Sequence, residues 1–317
     1  MKKIFLLSLF LLPTLLFSQD TLRRKHIPDS LRLWHHGGVV GFNFAQASFT
    51  NWAAGGENSI SGQARMSTFV NYKKDSTVSW DNGLDLAYGL MQVGTGYMRK
   101  TDDKIDFTSK YGRYAFKQVW YYSALLGFKT QFLPGYDYQD DTAKTLISDF
   151  MAPGYVILAA GLDYKPNKKF SLFMAPLTGK TTIVRNQMLA DAGAFGMEKA
   201  RYDVNGNKIR NGQQVRGEFG GYVRISYKAD IMTNVNLTAR CELFTNYLKD
   251  PQNIDVNAEV LLTMKVNKFI SASFNMQGIY DNDINVAVDH NHDGVYESTG
   301  PRFQFRQIMG IGFQAKF

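Results

Sequence analysis

Cysteine is almost missing from this chain of 317 residues: a single one, Cys241, excludes an intramolecular disulfide framework and a cysteine zinc site. Proline is scarce at 8 residues, and the 28 glycines follow no three-residue period, so the chain is not collagen-like. Neither sign of charge dominates. Against 28 Asp and Glu stand 36 Lys and Arg, a formal charge of +8, and a hydrophobic content of 44% is too high for a disordered chain. Beyond the first 18 residues no apolar run approaches the roughly 18 to 20 residues of a membrane-spanning helix. The best candidate, residues 154–162, holds two glycines and lies between Pro153 and Asp163. Its length is that of a tilted transmembrane β-strand. Aromatic residues are plentiful, with 23 Phe, 17 Tyr and 4 Trp.

The first 18 residues read as an export signal: Lys2 and Lys3, an apolar run over 4–12, Pro13, and the small residue Ser18 before Gln19. The residue directly after the cleavage point is Gln19 and not a cysteine, which disfavours the lipoprotein route. The sequence thus divides into a cleaved signal peptide, 1–18, a periplasmic leader, 19–38, and a remainder, 39–317. Export removes any role with nucleic acid, despite the basic balance.

The remainder alternates with a period of two. At the C-terminus Phe303, Phe305, Met309, Ile311, Phe313, Ala315 and Phe317 share one face, with Arg302, Gln304, Arg306, Gln314 and Lys316 on the other. Similar alternation runs from Val215, Val235 and Ile254 and around Trp80, over about ten residues or more, longer than the usual strand of a soluble sandwich. Placing turns between these segments gives twelve strands, with ten to fourteen as the range: 39–48, 59–72, 78–91, 104–115, 120–132, 152–164, 170–178, 213–227, 234–248, 254–266, 269–280 and 302–317. Connections after even strands are short and those after odd strands mostly long. The expected fold is therefore all-β, an antiparallel transmembrane β-barrel with short periplasmic turns.

Several stretches carry a resemblance. Phe49-Thr50-Asn51-Trp52-Ala53-Ala54-Gly55-Gly56-Glu57-Asn58-Ser59, then Trp80-Asp81-Asn82-Gly83, Tyr88-Gly89, Asp106, Ser109-Lys110, Gln131-Phe132 and Pro153-Gly154-Tyr155, are similar to an uncharacterised outer-membrane β-barrel family of Bacteroidota. The resemblance spans nearly all of the mature chain, and its most specific part is the Asn-Trp-x-x-Gly-Gly stretch. It implies a barrel in the outer membrane of a Gram-negative cell and no activity.

Catalysis finds little support. A wall-bound serine hydrolase needs a base within hydrogen-bond reach of its hydroxyl, and His26, His35, His36, His290 and His292 all fall outside the expected strands. The chain reads as a non-enzyme, with an outer-membrane hydrolase as the most remote alternative. In the last long loop Asp289, Asn291 and Asp293 alternate before Gly294, with Glu297 beyond, the oxygen spacing with which a tight loop wraps calcium. The alternatives are a plain solvated turn, or a transition metal at His290 and His292. Calcium is the one cofactor suggested.

The inward face is the richest feature. Strand parity gives it eight acids, Asp81, Asp85, Asp106, Asp163, Glu218, Glu242, Asp255 and Glu259, and eight bases, Lys110, Lys129, Arg216, Arg224, Arg240, Lys265, Arg302 and Arg306. Neighbouring strands bring Arg216 and Glu218 toward Arg240 and Glu242, and these toward Asp255 and Glu259. The balance fits either a narrow porin-like pore for small polar solutes or a self-neutralised lumen. The second would make the chain a non-conducting structural or accessory subunit of an envelope complex. Trp80, Trp120, Tyr121, Tyr122, Tyr227 and Phe269 are expected in an aromatic girdle, and Trp34 is expected to plug the periplasmic mouth. The expected partners are outer-membrane lipid and, during biogenesis, the insertion machinery.

Overall fold

Alternation in polarity becomes alternation in burial: along the last strand every odd position from Phe305 to Ala315 is exposed and every even one is covered. The structure, a computed structural model, describes residues 32–48, 57–75, 77–138, 144–267, 269–288 and 298–317. Twelve strands form the wall: β1 (Trp34–Ala47), β2 (Ser59–Lys74), β3 (Val78–Val93), β4 (Arg99–Phe116), β5 (Trp120–Thr130), β6 (Gly154–Tyr164), β7 (Phe170–Ile183), β8 (Val215–Met232), β9 (Val235–Asn246), β10 (Ile254–Lys265), β11 (Ile270–Tyr280) and β12 (Gln304–Lys316). Each pairs antiparallel with the next, and β12 returns to β1, so the barrel is closed. Closure is what lets strands enter hydrocarbon, since paired neighbours satisfy one another's backbone groups where water cannot.

At one end the turns are tight and place Asp75, Lys117, Gln118 and Asn234 at φ between 50° and 66°, the left-handed region that Asn and Asp tolerate best. At the other end longer connections carry three short hairpins outside the wall, Gly135–Tyr138 with Lys144–Ser148, Arg201–Tyr202 with Lys208–Arg210, and Asn285–Val288 with Ser298–Pro301, together with a one-turn helix, α1 (Gln187–Asp191). The outer face is apolar over its breadth: Tyr122, Leu158, Leu177, Phe305, Met309, Ile311 and Phe313 are all more than half exposed. Such a band matches lipid and not water. Among the described residues no helix is long and apolar enough to cross a membrane.

Several expected boundaries shift, and bulges are the main reason. The register slips between Ala160 and Leu162 of β6, opposite Leu177 and Met174, and between Gly220 and Tyr222 of β8, opposite Thr178 and Ala175. Gly161 sits at the first slip, where a Cβ would overlap the Met174 carbonyl oxygen. The inward set of β7 consequently changes from odd positions (Phe173, Ala175) to even ones (Thr178, Lys180, Thr182), and the strand runs to Ile183 and not to 178. A similar slip between Gly89 and Leu90 accompanies a β4 that begins at Arg99.

β1 begins at Trp34, so residues 34–38 belong to the wall and not to a leader. His35 and His36 therefore lie on a strand, contrary to expectation. Trp34 does not plug a mouth. It faces outward, 5.0 Å from the Tyr72 ring and 6.1 Å from Trp80, and extends the girdle that Phe116, Trp120 and Tyr164 continue. Tyr121 is the exception within the expected girdle, being buried on the lumen side with Lys165 Nζ 5.6 Å from its ring. The signal peptide, the Asn51-Trp52 stretch and the calcium-type residues Asp289, Asn291, Asp293 and Glu297 lie outside the described residues.

Candidate functional site: a lumen spanned by its own charges

The inward side chains do not mainly pair along the wall; they reach across it. Arg240 on β9 places Nη2 3.2 Å from Asp85 Oδ2 on β3 and Nη1 3.2 Å from Asp106 Oδ2 on β4. Lys104 on β4 holds Glu259 on β10 at 2.8 Å. In a ring of twelve strands β3 and β9, like β4 and β10, are diametrically opposed. Bonds between them run through the middle of the lumen.

Around these two struts, Lys129 of β5 bonds Glu242 of β9, Arg240 also approaches Glu259 at 3.5 Å, and Arg224 of β8 donates to Thr108 Oγ1 of β4 at 3.2 Å and lies 3.8 Å from Glu242. Four cations, Lys104, Lys129, Arg224 and Arg240, thus meet four carboxylates, Asp85, Asp106, Glu242 and Glu259. Toward the short-turn end a second set joins Lys110 to Asp163 at 2.7 Å and Lys165 to Asp81 at 2.7 Å and Asp163 at 3.3 Å. Asp163 and Lys110 are largely buried while Asp81 keeps 40% of its side chain exposed, and a buried ion that loses its partner is costly.

Beside the struts the lumen is filled with apolar side chains. Leu125, Ala159, Phe173, Ala175, Tyr222 and Phe244, from β5 to β9, form a buried cluster, and Phe173 is 0% exposed. Lys180 Nζ lies 4.8 Å from the Phe244 ring, where cluster and charges meet. These side chains pack against one another as in a protein core.

Beneath the long loops sits a third group. Lys180 faces Asp255 at 2.6 Å, Asp281 at 3.6 Å and Glu218 at 3.7 Å, while Arg216 holds Glu218 at 3.2 Å and Asp283 at 3.0 Å. Arg216 Nη1 also donates to the Gly196 carbonyl at 3.1 Å. Gly196 adopts φ +76°, and a Cβ there would overlap the guanidinium. The connections containing residues 131–153 and 184–214 build a small core of their own on this contact, with Ala152, Val184, Leu189, Ala190 and Met197 buried. Asn186 caps α1 by accepting from the Met188 and Leu189 amides.

Within that cap Asp191 accepts from the Lys208 ammonium, from the Gly212 N–H at 2.7 Å and from Gln187 Nε2 at 2.7 Å. These donors, Lys208 foremost, bring its carboxyl down to about 2. The folded value lies below the unfolded one, so the contact is at full strength above about pH 4 and fades as pH falls toward about 2. Asp191→Ala should therefore untether the Arg201–Arg210 hairpin, which loses its bonds from Lys208 and Gly212 to the carboxylate. Limited trypsinolysis at pH 8 is expected to cut several-fold faster after Lys199, Arg201, Lys208 or Arg210, with the barrel itself intact; unchanged cleavage would count against the latch.

The expected lumen residues divide into separate groups. Arg240, Glu242 and Glu259 meet at the struts; Arg216, Glu218 and Asp255 gather under the cap around Lys180; Arg306 on β12 pairs with Asp102 at 2.5 Å. The six residues from Arg216 to Glu259 do not make one closed network. Arg302 is a correction: β12 starts at Gln304, and Arg302 is exposed in the connection beyond Pro301, bonding that residue's carbonyl at 3.0 Å. Lys265 is exposed at the short-turn rim. Sequence reasoning missed Lys104, Asp102, Lys165, Lys180 and the apolar cluster. For Tyr222 and Phe244 the signal was available, since they share parity with Arg224 and Glu242.

A closed barrel with an apolar exterior and a charged interior is the build of an outer-membrane β-barrel protein. A family described as "Protein of unknown function (DUF3078)" matches residues 44–136, a narrower stretch than the resemblance read from the sequence. No curated protein matches the chain. Among solved structures, an outer-membrane channel from Pseudomonas putida F1 aligns at 10% identity over 90% of this chain and 97% of its own, with a TM-score of 0.37. The translocator domain of the autotransporter NalP from Neisseria meningitidis aligns at 8% identity over 88% of this chain and 87% of its own, with a TM-score of 0.34. The NanC porin aligns at 9% identity over 87% of this chain and 98% of its own, with a TM-score of 0.30. At this level the activities of those proteins do not transfer.

Proposed function

We propose that this chain is a non-enzymatic barrel of a Gram-negative outer membrane, exported through a cleaved signal peptide, whose lumen is sealed by its own side chains. It serves as a structural or accessory subunit of an envelope complex. The observation that carries this reading is the pair of diametric bonds, Arg240 to Asp85 and Lys104 to Glu259, laid beside a buried apolar cluster. A passing ion would have to break charge pairs whose members are mostly shielded from solvent, Arg240 at 16% and Asp106 at 3% side-chain exposure. The equality of cations and carboxylates at the struts also removes the single-sign field that selects ions.

The narrow-pore reading draws on one feature: Asp85 and Arg306 each keep about a third of their side chain exposed, 36% and 35%. Single-channel recording of the purified protein in a planar bilayer separates the two. The expected result is silence across physiological voltages, in a preparation whose folded band shifts on heating. Steady conductance of the wild type would overturn the sealed reading and favour a pore for small polar solutes.

A further inference from the structure

The seam that closes the barrel is shorter than its neighbours. β1 and β12 pair only from Val39–Lys316 to Asn43–Gly312, and one step further Gly38 and Phe317 exchange backbone hydrogen bonds of 3.0 and 3.1 Å. On its far side β12 pairs with β11 from Gln304 to Phe313, and β1 pairs with β2 along its whole length. Above Gly312 the two strands part. Residues 44–47 of β1 and 304–311 of β12 each keep one backbone edge that has no strand partner among the described residues.

Local sequence sets the fork. A Cβ at Gly312 would overlap the Phe42 carbonyl oxygen, and one at Gly310 would lie 2.7 Å from Asn43 Nδ2. Because these two positions carry no side chain, the Asn43 carboxamide crosses β12 on the lumen side. It donates to Ser273 Oγ on β11 at 3.3 Å and to Gln63 Oε1 on β2 at 3.4 Å. One side chain thus clasps the closed half just below the point of parting.

A run of this length with no strand partner among the described residues is unfavourable on a lipid-facing strand, because hydrocarbon offers nothing to an N–H or C=O group. An acyl chain cannot satisfy it; an added β-strand can. The surroundings specify that strand further. Phe305, Met309 and Ile311 face outward and are more than half exposed, so its outward residues would be apolar. On the lumen side Arg306 of β12 and Arg65 of β2 share one carboxylate, Asp102, at 2.5 and 3.1 Å. Two guanidinium groups on one carboxylate leave an unbalanced positive charge beside the fork.

We propose that the fork between β1 and β12 is the docking edge for an extended strand of a partner protein, apolar and polar by turns, with an acidic side chain turned toward Arg306. This rests on the accessory-subunit reading, for which it names the surface that holds the partner.

The probe is a fluorescently labelled octapeptide of alternating Val or Leu and Thr with one inward Glu. It is titrated against the purified full chain in detergent and followed by anisotropy. Extending the register sets Phe44 opposite Ile311, so Phe44→Cys with Ile311→Cys, in a Cys241→Ser background, locks the fork when oxidised. Saturable binding is expected, abolished by the oxidised lock and restored on reduction. It should weaken about tenfold or more with a Lys-for-Glu peptide or with Arg306→Gln. Absent binding, or binding indifferent to the lock, overturns the proposal. A concentration-dependent dimer that the lock dissolves also overturns it, by giving the edge to a second copy. Conductance of the same preparation keeps the two readings apart: a silent barrel that ignores the peptide refutes only the docking edge, and a conducting one refutes the sealed lumen whatever the peptide does.

Discussion

Arg240→Ala is expected to lower the stability of the folded barrel by about 3 kcal/mol, the lower end of the cost of unpairing buried charges, because Asp85 keeps about a third of its side chain exposed. Arg240 contacts three carboxylates, Asp85, Asp106 and Glu259, so its removal turns a neutral layer into one with surplus carboxylates. Lys104 compensates in part, because it already holds Glu259 at 2.8 Å and lies 3.9 Å from Asp106. Asp85 has no such second cation among the described residues. The variant should lose its heat-resistant folded band at a lower temperature, and in a planar bilayer it should pass a current that prefers cations. Arg240→Lys should fall between the two, since an ammonium lacks the planar fork that reaches three carboxylates at once. Wild-type stability together with silence in Arg240→Ala would show that the struts neither hold nor seal the lumen.

Gly312→Ala is expected to prevent closure for a different reason, which is steric. The added Cβ would overlap the Phe42 carbonyl oxygen and approach the Asn43 Cα at 2.7 Å. Both belong to the backbone and cannot rotate away. Overpacking of this kind costs about 1–3 kcal/mol inside a core, and here it falls on the short pairing from Val39–Lys316 to Asn43–Gly312 that completes the ring. Little of the variant should reach the heat-modifiable state after refolding in detergent. Gly217→Ala is the control: a Cβ at Gly217 meets nothing within 4 Å, so it should refold like the wild type. Equal refolding of both variants would mean that the seam has slack that the structure does not show.

The wall was legible in the sequence because a strand that separates lipid from lumen must alternate at every step, and twelve such segments survive in the residue pattern. The last strand shows this most clearly, with Phe305, Met309, Ile311 and Phe313 all on one face. Parity also sent Arg240, Glu242 and Glu259 inward, since a charge on the lipid face is costly. Legibility failed where a bulge reverses parity. Lys180 stands on the same side as Phe173 only because the register slips between Ala175 and Thr178, and no periodicity signals that in advance.

What each inward charge meets was decided by the tertiary structure. Sequence separation ranks neighbouring strands first, so Arg240 was set against Glu242 and Glu259, whereas the closed ring brings β9 within reach of β3 and β4 and adds Asp85 and Asp106. The contact between Lys104 and Glu259 spans 155 positions in the chain. It exists because curvature and closure fold opposite walls to within two side-chain lengths. The sequence by itself determined the strands, the faces and the near equality of inward charge, all of which follow from local alternation. Only the closed ring decided which charges meet and that β1 and β12 part above Gly312, because those depend on the distance across the barrel and on the fit of one backbone against another.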